Sequence, residues 1–599
     1  MPLAGDSESV SSGAEVTVAP VERGPTETPR DRDAVPPGDG VYGAEPEADA
    51  QLVGASRFAG RLLVGIIVVL VGVAATSHSL SGVPPGLTST GAMEAGAAAS
   101  NLAAGQGLRT SVVYPAAVGL GQDPLKAPYL SAGPFFPALL AGYCRIRGDA
   151  DLAVRLCAAL GVFLCAGTAF YLAMRLIGPT GGALVGVVAM TSPVALDSVM
   201  VSGPLTWAMA WFTLSATLVI DIRLPAPDAE TRPWAVVWPW TRLGLAGVCM
   251  GLCYLTLPGT LPLAVLLVAV VGAAAPANRR GAMLLTFAAP CVVCVVGWLG
   301  RNLVVAHNPF LNWTRLTPVI NDQGVSALSL AQSPGSAAVF LLKATYAKSV
   351  YMGYTWRTMS ANLSDAPGVA ISALGALLLP FAVGAFLVRA STQAERRLRT
   401  VCVWAPLLML AWGFFWPRGA DSMAVAAPLA AVLAVGFLVP YLARLRRLVR
   451  AAAWCFVVLL AVGPVGGRTL MSGSPSLSPL AQTLVETRNK LPKDMLIVTD
   501  RPFDVAWFAR YTAVQLPADK ASLDKVLAAA GDHPVGYFLS AEVVNSASGR
   551  QLAVYKDLLS DTSLPEGLVS VPLAAPLGRL AVPNNVAPES RPATGAPGP

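Results

Sequence analysis

The chain alternates long apolar windows with short polar turns. Windows near 59–77, 152–174, 181–199, 204–222, 243–257, 260–275, 282–300, 367–388, 400–416, 422–442 and 451–465 each approach the length needed to cross a membrane as a helix, which is about 20 residues for a ~30 Å hydrocarbon core. They predict eleven membrane-spanning helices, with a turn at Pro258-Gly259 separating two short ones. Two stretches between windows, 78–151 and 301–366, are long enough to fold outside the bilayer. After Gly467 the pattern changes. Helical periodicity over Ser478–Leu491, Phe503–Ala509 and Ser522–Ala530 alternates with short apolar strands at Met495–Thr499, Ala513–Leu516 and Val535–Leu539, which predicts a small α/β domain. Residues 1–56 and the Pro/Ala-rich 576–599 carry no apolar period and read as disordered tails. The expected organisation is therefore a tail at 1–56, a transmembrane domain at 57–466, an α/β domain at 467–575 and a second tail.

Composition agrees with the pattern. Hydrophobic residues make up 54% of the 599, charged residues 13%, and the mean hydropathy is +0.58. A soluble domain carries roughly a quarter charged residues, so a soluble enzyme is excluded. The net charge of +7 conceals a segregation: residues 1–56 hold eleven acids against three arginines. With that tail in the cytoplasm, Arg175, Arg223, Arg232, Arg242, Arg279, Arg280, Arg389, Arg396, Arg397, Arg399, Arg444, Arg446, Arg447 and Arg450 all fall on the inner side. The positive-inside rule then sets the amino terminus inside and the α/β domain outside, as expected for a multi-pass protein of a bacterial plasma (inner) membrane.

The acids follow the complementary arrangement, and candidate chemistry gathers on the outer side. Glu94 stands in the Ala/Gly-rich run Met93–Leu102, which predicts a helix along the membrane surface. Asp197 sits at the outer end of a span, and Lys126, Arg301, Asn302 and Arg418 flank the same side. Asp500 follows a strand, a position where open α/β sheets place ligands, though no Gly-rich phosphate loop follows it, and a lid or stabilising domain is the favoured reading. Cys249-x-x-x-Cys253 and Cys291-x-x-Cys294 have no second pair and no neighbouring His, so they read as packed thiols; His78 and His307 lack clustered partners, and no metal is expected. Charges at span ends, with no paired ionisable residues at mid-span and no internal repeat, argue against a transporter, and nothing suggests a nucleic-acid partner.

Several motifs, in order, resemble the GT-C glycosyltransferases, in particular the bacterial branch related to protein O-mannosyltransferases and to the lipid A aminoarabinose transferase. They are Glu94 followed by Asn101-Leu102-Ala103-Ala104-Gly105-Gln106-Gly107, then Pro134-Phe135-Phe136-Pro137, Asp151–Leu156, Trp298-Leu299-Gly300-Arg301-Asn302 and Asp500–Pro517. The resemblance covers roughly residues 58–545 and implies a mainly α, polytopic fold. It also implies transfer of a sugar from a polyprenyl-phosphate donor to an outer acceptor, whether protein, lipid or polysaccharide, with no cofactor beyond the lipid-linked sugar. Glu94 and Asp197 would be the catalytic carboxylates. Lys126, Arg301, Asn302 and Arg418 would bind the lipid-carrier phosphate, since a departing phosphate calls for charge-assisted hydrogen bonds. Two positions depart from the family pattern: Met93 stands where it has an Asp, and Gly203 where it has a second acid. They leave open an alternative, a catalytically impaired GT-C-like protein that binds polyprenyl phosphate or acts as a scaffold.

Overall fold

The computed structural model describes residues 63–77, 87–306, 348–412, 422–471, 477–541 and 567–586, apart from short interruptions. The 1–56 segment, Arg418, both His78 and His307, and most of the 301–366 stretch lie outside the described residues. The chain is mostly helical. Its helices in order are α1 (Leu63–Ser77), α2 (Thr90–Ala103), α3 (Pro115–Gly119), α4 (Phe135–Arg147), α5 (Ala150–Leu176), α6 (Pro179–Thr191), α7 (Pro193–Met200), α8 (Gly203–Ile220), α9 (Pro233–Thr256), α10 (Leu261–Ala274) and α11 (Arg280–Ala306). They continue with α12 (Lys348–Gly384), α13 (Gln393–Trp412), α14 (Ala427–Ala443), α15 (Arg447–Met471), α16 (Pro479–Thr487) and α17 (Lys520–Ala530). Four helices, Asp151–Leu176, Gly203–Ile220, Arg280–Ala306 and Ala424–Ala443, are long and apolar enough to cross a membrane by length and composition, and shorter apolar helices accompany them.

Prolines set several boundaries. The apolar window at 181–199 is not one helix, because Pro193 begins a new one and Ser192 caps it, accepting from the Ala195 amide at 3.2 Å. Proline suits the first turn of a helix because its missing N–H would be unsatisfied there anyway. The tight turn from α5 into α6 runs through Gly178 at φ +105°, a conformation that a Cβ would oppose, and then Pro179.

At one end of the bundle the polar turns meet. Asp221, after α8, is 6% exposed and pairs with Arg242 of α9 at 2.8 Å and Arg175 of α5 at 3.5 Å. Arg397 of α13 donates to the carbonyls of Ile220 and Ile222 at 3.3 and 3.0 Å. Arginines from three separate turns thus converge on the end of α8.

The opposite end carries a six-stranded sheet in the order β1-β3-β2-β4-β6-β5. Its strands are β1 (Val112–Val113), β2 (Leu496–Thr499), β3 (Thr512–Gln515), β4 (Val535–Ser540), β5 (Leu568–Val571) and β6 (Gly578–Pro583). The first four run parallel, and β6 pairs antiparallel with both β4 and β5. All four β2 residues are buried, as expected of a central parallel strand covered on both faces. Two boundaries differ from the sequence reading. Strand β6 extends into 576–599, because Gly578–Pro583 pairs with β4 and β5, and strand β1 comes from the 78–151 stretch. The 78–151 stretch and the post-467 segment therefore share one hydrophobic core, in which Ala95 and Ala99 of α2 and Leu140 of α4 join Leu496, Trp507 and Val514.

Candidate functional site

Helix α2 is not laid on a surface. Residues Ala92–Ala99 are all buried, because small side chains let α2 sit between α4 and the helical turn at 502–509. At Gly96 an added Cβ would lie 2.5 Å from the Trp507 ring, so glycine here permits the close approach. Trp507 is fixed in turn by donating to Asp151 at 3.1 Å, and Arg510, at φ +63° where the turn ends, lies 4.3 Å over the Trp507 ring.

This packing leaves Glu94 as a carboxyl 2% exposed within an otherwise apolar helix face. Two hydroxyls meet it. Thr110 donates to Oε1 at 3.4 Å, and Ser131 donates to the same oxygen. Burial raises the carboxyl from 4.5 to about 7, and the two hydroxyl hydrogen bonds oppose that rise. The Tyr129 phenol is also buried and pushed well above its usual range, first by burial and then by the charges of Glu94 and Tyr114. The result is a carboxyl balanced between its two protonation states near neutral pH, which suits a general base.

Thr110 belongs to a short antiparallel ribbon, and Ser131 to the bend that follows it. Thr110 N donates to Ala127 O at 3.0 Å, Tyr129 N donates to Leu108 O at 3.2 Å, and Arg109 bridges Pro128. Thr110 Oγ1 also accepts from the Val112 amide at 3.0 Å, tying the ribbon to β1. Asn101 steadies the same loop by donating to Arg109 O and Ser111 Oγ, both at 3.2 Å. Nothing in the sequence marked Thr110, Ser131 or Tyr129, since hydroxyls in a turn-rich loop are common and their convergence on Glu94 is a tertiary fact.

The other expected site residues scatter. Arg301 and Asn302, near the end of α11, do reach the loop: the Arg301 guanidinium donates to the carbonyls of Tyr129 and Leu108 and to Asn302 Oδ1, while Asn302 is 3% exposed. Lys126 is exposed and pairs with Asp123 at 3.3 Å. Asp197 lies exposed on α7, whereas the hydroxyls holding Glu94 come from its own loop. Arg418 lies outside the described residues. Asp500 accepts from the Ser540 amide at 2.9 Å and from its hydroxyl at 2.5 Å, a clasp between β2 and β4. Among the described residues no group of three or more His, Cys, Asp or Glu could hold a metal.

The two departures from the family pattern also have a packing explanation. Met93 is 4% exposed in the shared core. At Gly203 an added Cβ would lie 2.1 Å from the Phe136 ring, so aromatic carbon fills the space that a second acid would take.

No family model and no curated protein matches this sequence. Solved structures do share its fold. The apo oligosaccharyltransferase of Archaeoglobus fulgidus superposes with a TM-score of 0.55 at 12% identity, covering 81% of this chain and 70% of that one. The oligosaccharyltransferase AglB of the same organism, in complex with an inhibitory peptide and a dolichol-phosphate, gives 0.52 at 12% identity over 80% and 69%. ArnT from Cupriavidus metallidurans, bound to undecaprenyl phosphate, gives 0.40 at 13% identity over 86% and 97%.

Proposed function

Taking as premise that the chain has the fold of the GT-C membrane glycosyltransferases, we propose that it transfers a sugar from a polyprenyl-phosphate donor to an acceptor on the outer face of the membrane. In this reading eleven spans hold the amino terminus inside, and Glu94 and the sheet lie outside. The single observation that carries the proposal is the Glu94 carboxyl, buried, held by Thr110 and Ser131 and raised to about 7.

Displacement at the anomeric carbon requires that the acceptor hydroxyl lose its proton as the new bond forms. A carboxylate within hydrogen-bond reach accepts that proton, and its basicity is greatest for the task when its pKa lies near the working pH. The hydroxyls of Thr110 and Ser131 hold the carboxylate oxygen in place. The departing lipid phosphate is assigned to the cations Lys126 and Arg418, while the apolar helices receive the prenyl chain. Arg301 and Asn302, also expected at the phosphate, direct their polar atoms to one another and to backbone carbonyls. Asp197 is kept as the second carboxylate of the proposal.

A second reading, a silent protein of this fold that binds polyprenyl phosphate or serves as a scaffold, is favoured by the Phe136 ring occupying the space beside Gly203. The two separate on one comparison. Purified wild type and Glu94→Gln are assayed with radiolabelled polyprenyl-phosphate sugars; the enzyme reading expects loss of about 10²–10⁴-fold in turnover with donor binding retained. Full transfer by Glu94→Gln would remove Glu94 from the chemistry, and donor binding by a wild type that does not turn over would support the silent reading.

A further inference from the structure

The Arg301 side chain ends on the loop that holds Glu94, and the loop's geometry gives that contact a purpose. Nη1 donates to the Tyr129 carbonyl at 2.9 Å and to Asn302 Oδ1 at 3.1 Å, Nη2 donates to the Leu108 carbonyl at 3.3 Å, and the guanidinium lies 4.8 Å over the Trp298 ring. Leu108 and Tyr129 sit on the two sides of the ribbon, hydrogen-bonded to each other. Thr110 stands two residues after Leu108 on one side, and Ser131, in the bend that follows the ribbon, two residues after Tyr129 on the other; these are the hydroxyls that meet Glu94. The gripped pair therefore lies between the two hydroxyls along the antiparallel ribbon, and holding Leu108 and Tyr129 together fixes the backbone from which each hydroxyl reaches Glu94.

We infer that Arg301 is a positioning residue for Glu94: it clips the two sides of the ribbon together, so that Thr110 and Ser131 close a dry pocket around the carboxyl. This deepens the reading of Glu94 as the base and rests on it. The planar guanidinium suits the role, since its fork presents donors on separate nitrogens in fixed directions and bridges two carbonyls, whereas an ammonium is a compact point donor. The half-buried cation is held by carbonyl dipoles and an aromatic face. The titratable groups facing Glu94 are Tyr129 and, behind it, Tyr114. Asp151 and Arg510, on the elements packed against α2 beside Gly96 and Ser100, engage Trp507 and Ser100. Through α11 the clip also ties the Glu94 pocket to the chain entering the second outer stretch.

The test is a pH-titration infrared difference measurement on the full-length protein in detergent, following the carboxyl C=O band that disappears in Glu94→Gln. Wild type is expected to titrate that band near 7. In Arg301→Lys and Arg301→Met the ribbon loosens, water enters, and the midpoint falls by about one unit or more toward the ordinary carboxyl range. The lysine variant keeps the charge, so a direct field effect of Arg301 on Glu94 predicts no shift there, while a lost bridge predicts the same shift in both; it also carries the test if the methionine variant does not fold. In transfer assays the positioning role expects kcat to fall with the donor KM little changed. An unchanged Glu94 midpoint in folded Arg301→Lys, with the donor KM raised about tenfold, would overturn the inference and make Arg301 a phosphate ligand. The infrared readout needs no turnover, so full transfer by Glu94→Gln would sink the base assignment while leaving the clip standing.

Discussion

Glu94→Gln is a stability experiment as well as a kinetic one. The carboxyl is fully buried in the native protein with a pKa of about 7, against 4.5 when the chain is unfolded. The native state therefore holds its proton over a pH range in which the unfolded state has released it. Below the unfolded value both states are protonated, and the native state keeps its full stability. As pH rises through 4.5 and on to about 7, the unfolded state gains by ionising freely, and stability is lost. Each unit of difference corresponds to about 1.4 kcal/mol, so the full loss is about 3 kcal/mol, most of which falls between roughly pH 5 and pH 8. Glutamine has nearly the same shape, can still accept from Thr110 and Ser131, and does not titrate. Chemical unfolding of both proteins in mild detergent across that range isolates the Glu94 contribution, because every other titrating group is common to the two. Wild type should lose about 2–3 kcal/mol more than the variant on going from the acidic to the alkaline end. Parallel pH dependences would refute the buried, uncharged carboxyl and with it the account of the site.

Two further outcomes follow from packing and charge. Gly203→Asp, which introduces an acid where the resemblance implies one, should destabilise the protein by about 1–3 kcal/mol because its Cβ meets the Phe136 ring; Phe136→Ala in the same chain should recover part of that loss, as thermal unfolding of the single and double variants would reveal. Asp221→Asn leaves the side chain of Arg242, 14% exposed, facing a neutral partner, and the loss of a largely buried pair should lower stability by about 3 kcal/mol, measured by the same unfolding assay.

The helices were legible because each apolar window must satisfy its own backbone. That requirement is local, so the windows at 152–174, 204–222 and 282–300 fall on α5, α8 and α11. The proline rule that ends a helix was equally readable at Pro193, yet hydropathy alone ran through it. The short strands at 495–499, 513–516 and 535–539 were visible as apolar runs between turns and correspond to β2, β3 and β4. Strand β1 was not, since two valines in a loop have no periodicity and become a strand through pairing with Ala513 and Val514. The same limit applies at the site. Glu94 stood out as a lone charge among alanines, but its burial depends on α4, the ribbon and Trp507, three elements that reach it from distant parts of the chain. Arg301 was noticed for its charge, whereas its partners in the structure are carbonyls, which every residue carries and no sequence singles out.

The pairing of β1 with β3 also sets an order in time. Val112 and Ala513 are about 400 residues apart, and at roughly 5–20 residues per second of synthesis the first strand waits tens of seconds for its neighbour. Until then the stretch that bears Glu94 lacks the sheet edge, the Trp507 ring against Gly96 and the Asp151 clasp. A ribosome that stops before codon 513 releases a protein with all its apolar windows and no finished pocket. The face of α2 that meets Trp507 is thus closed last, by residues about 400 positions further along the chain.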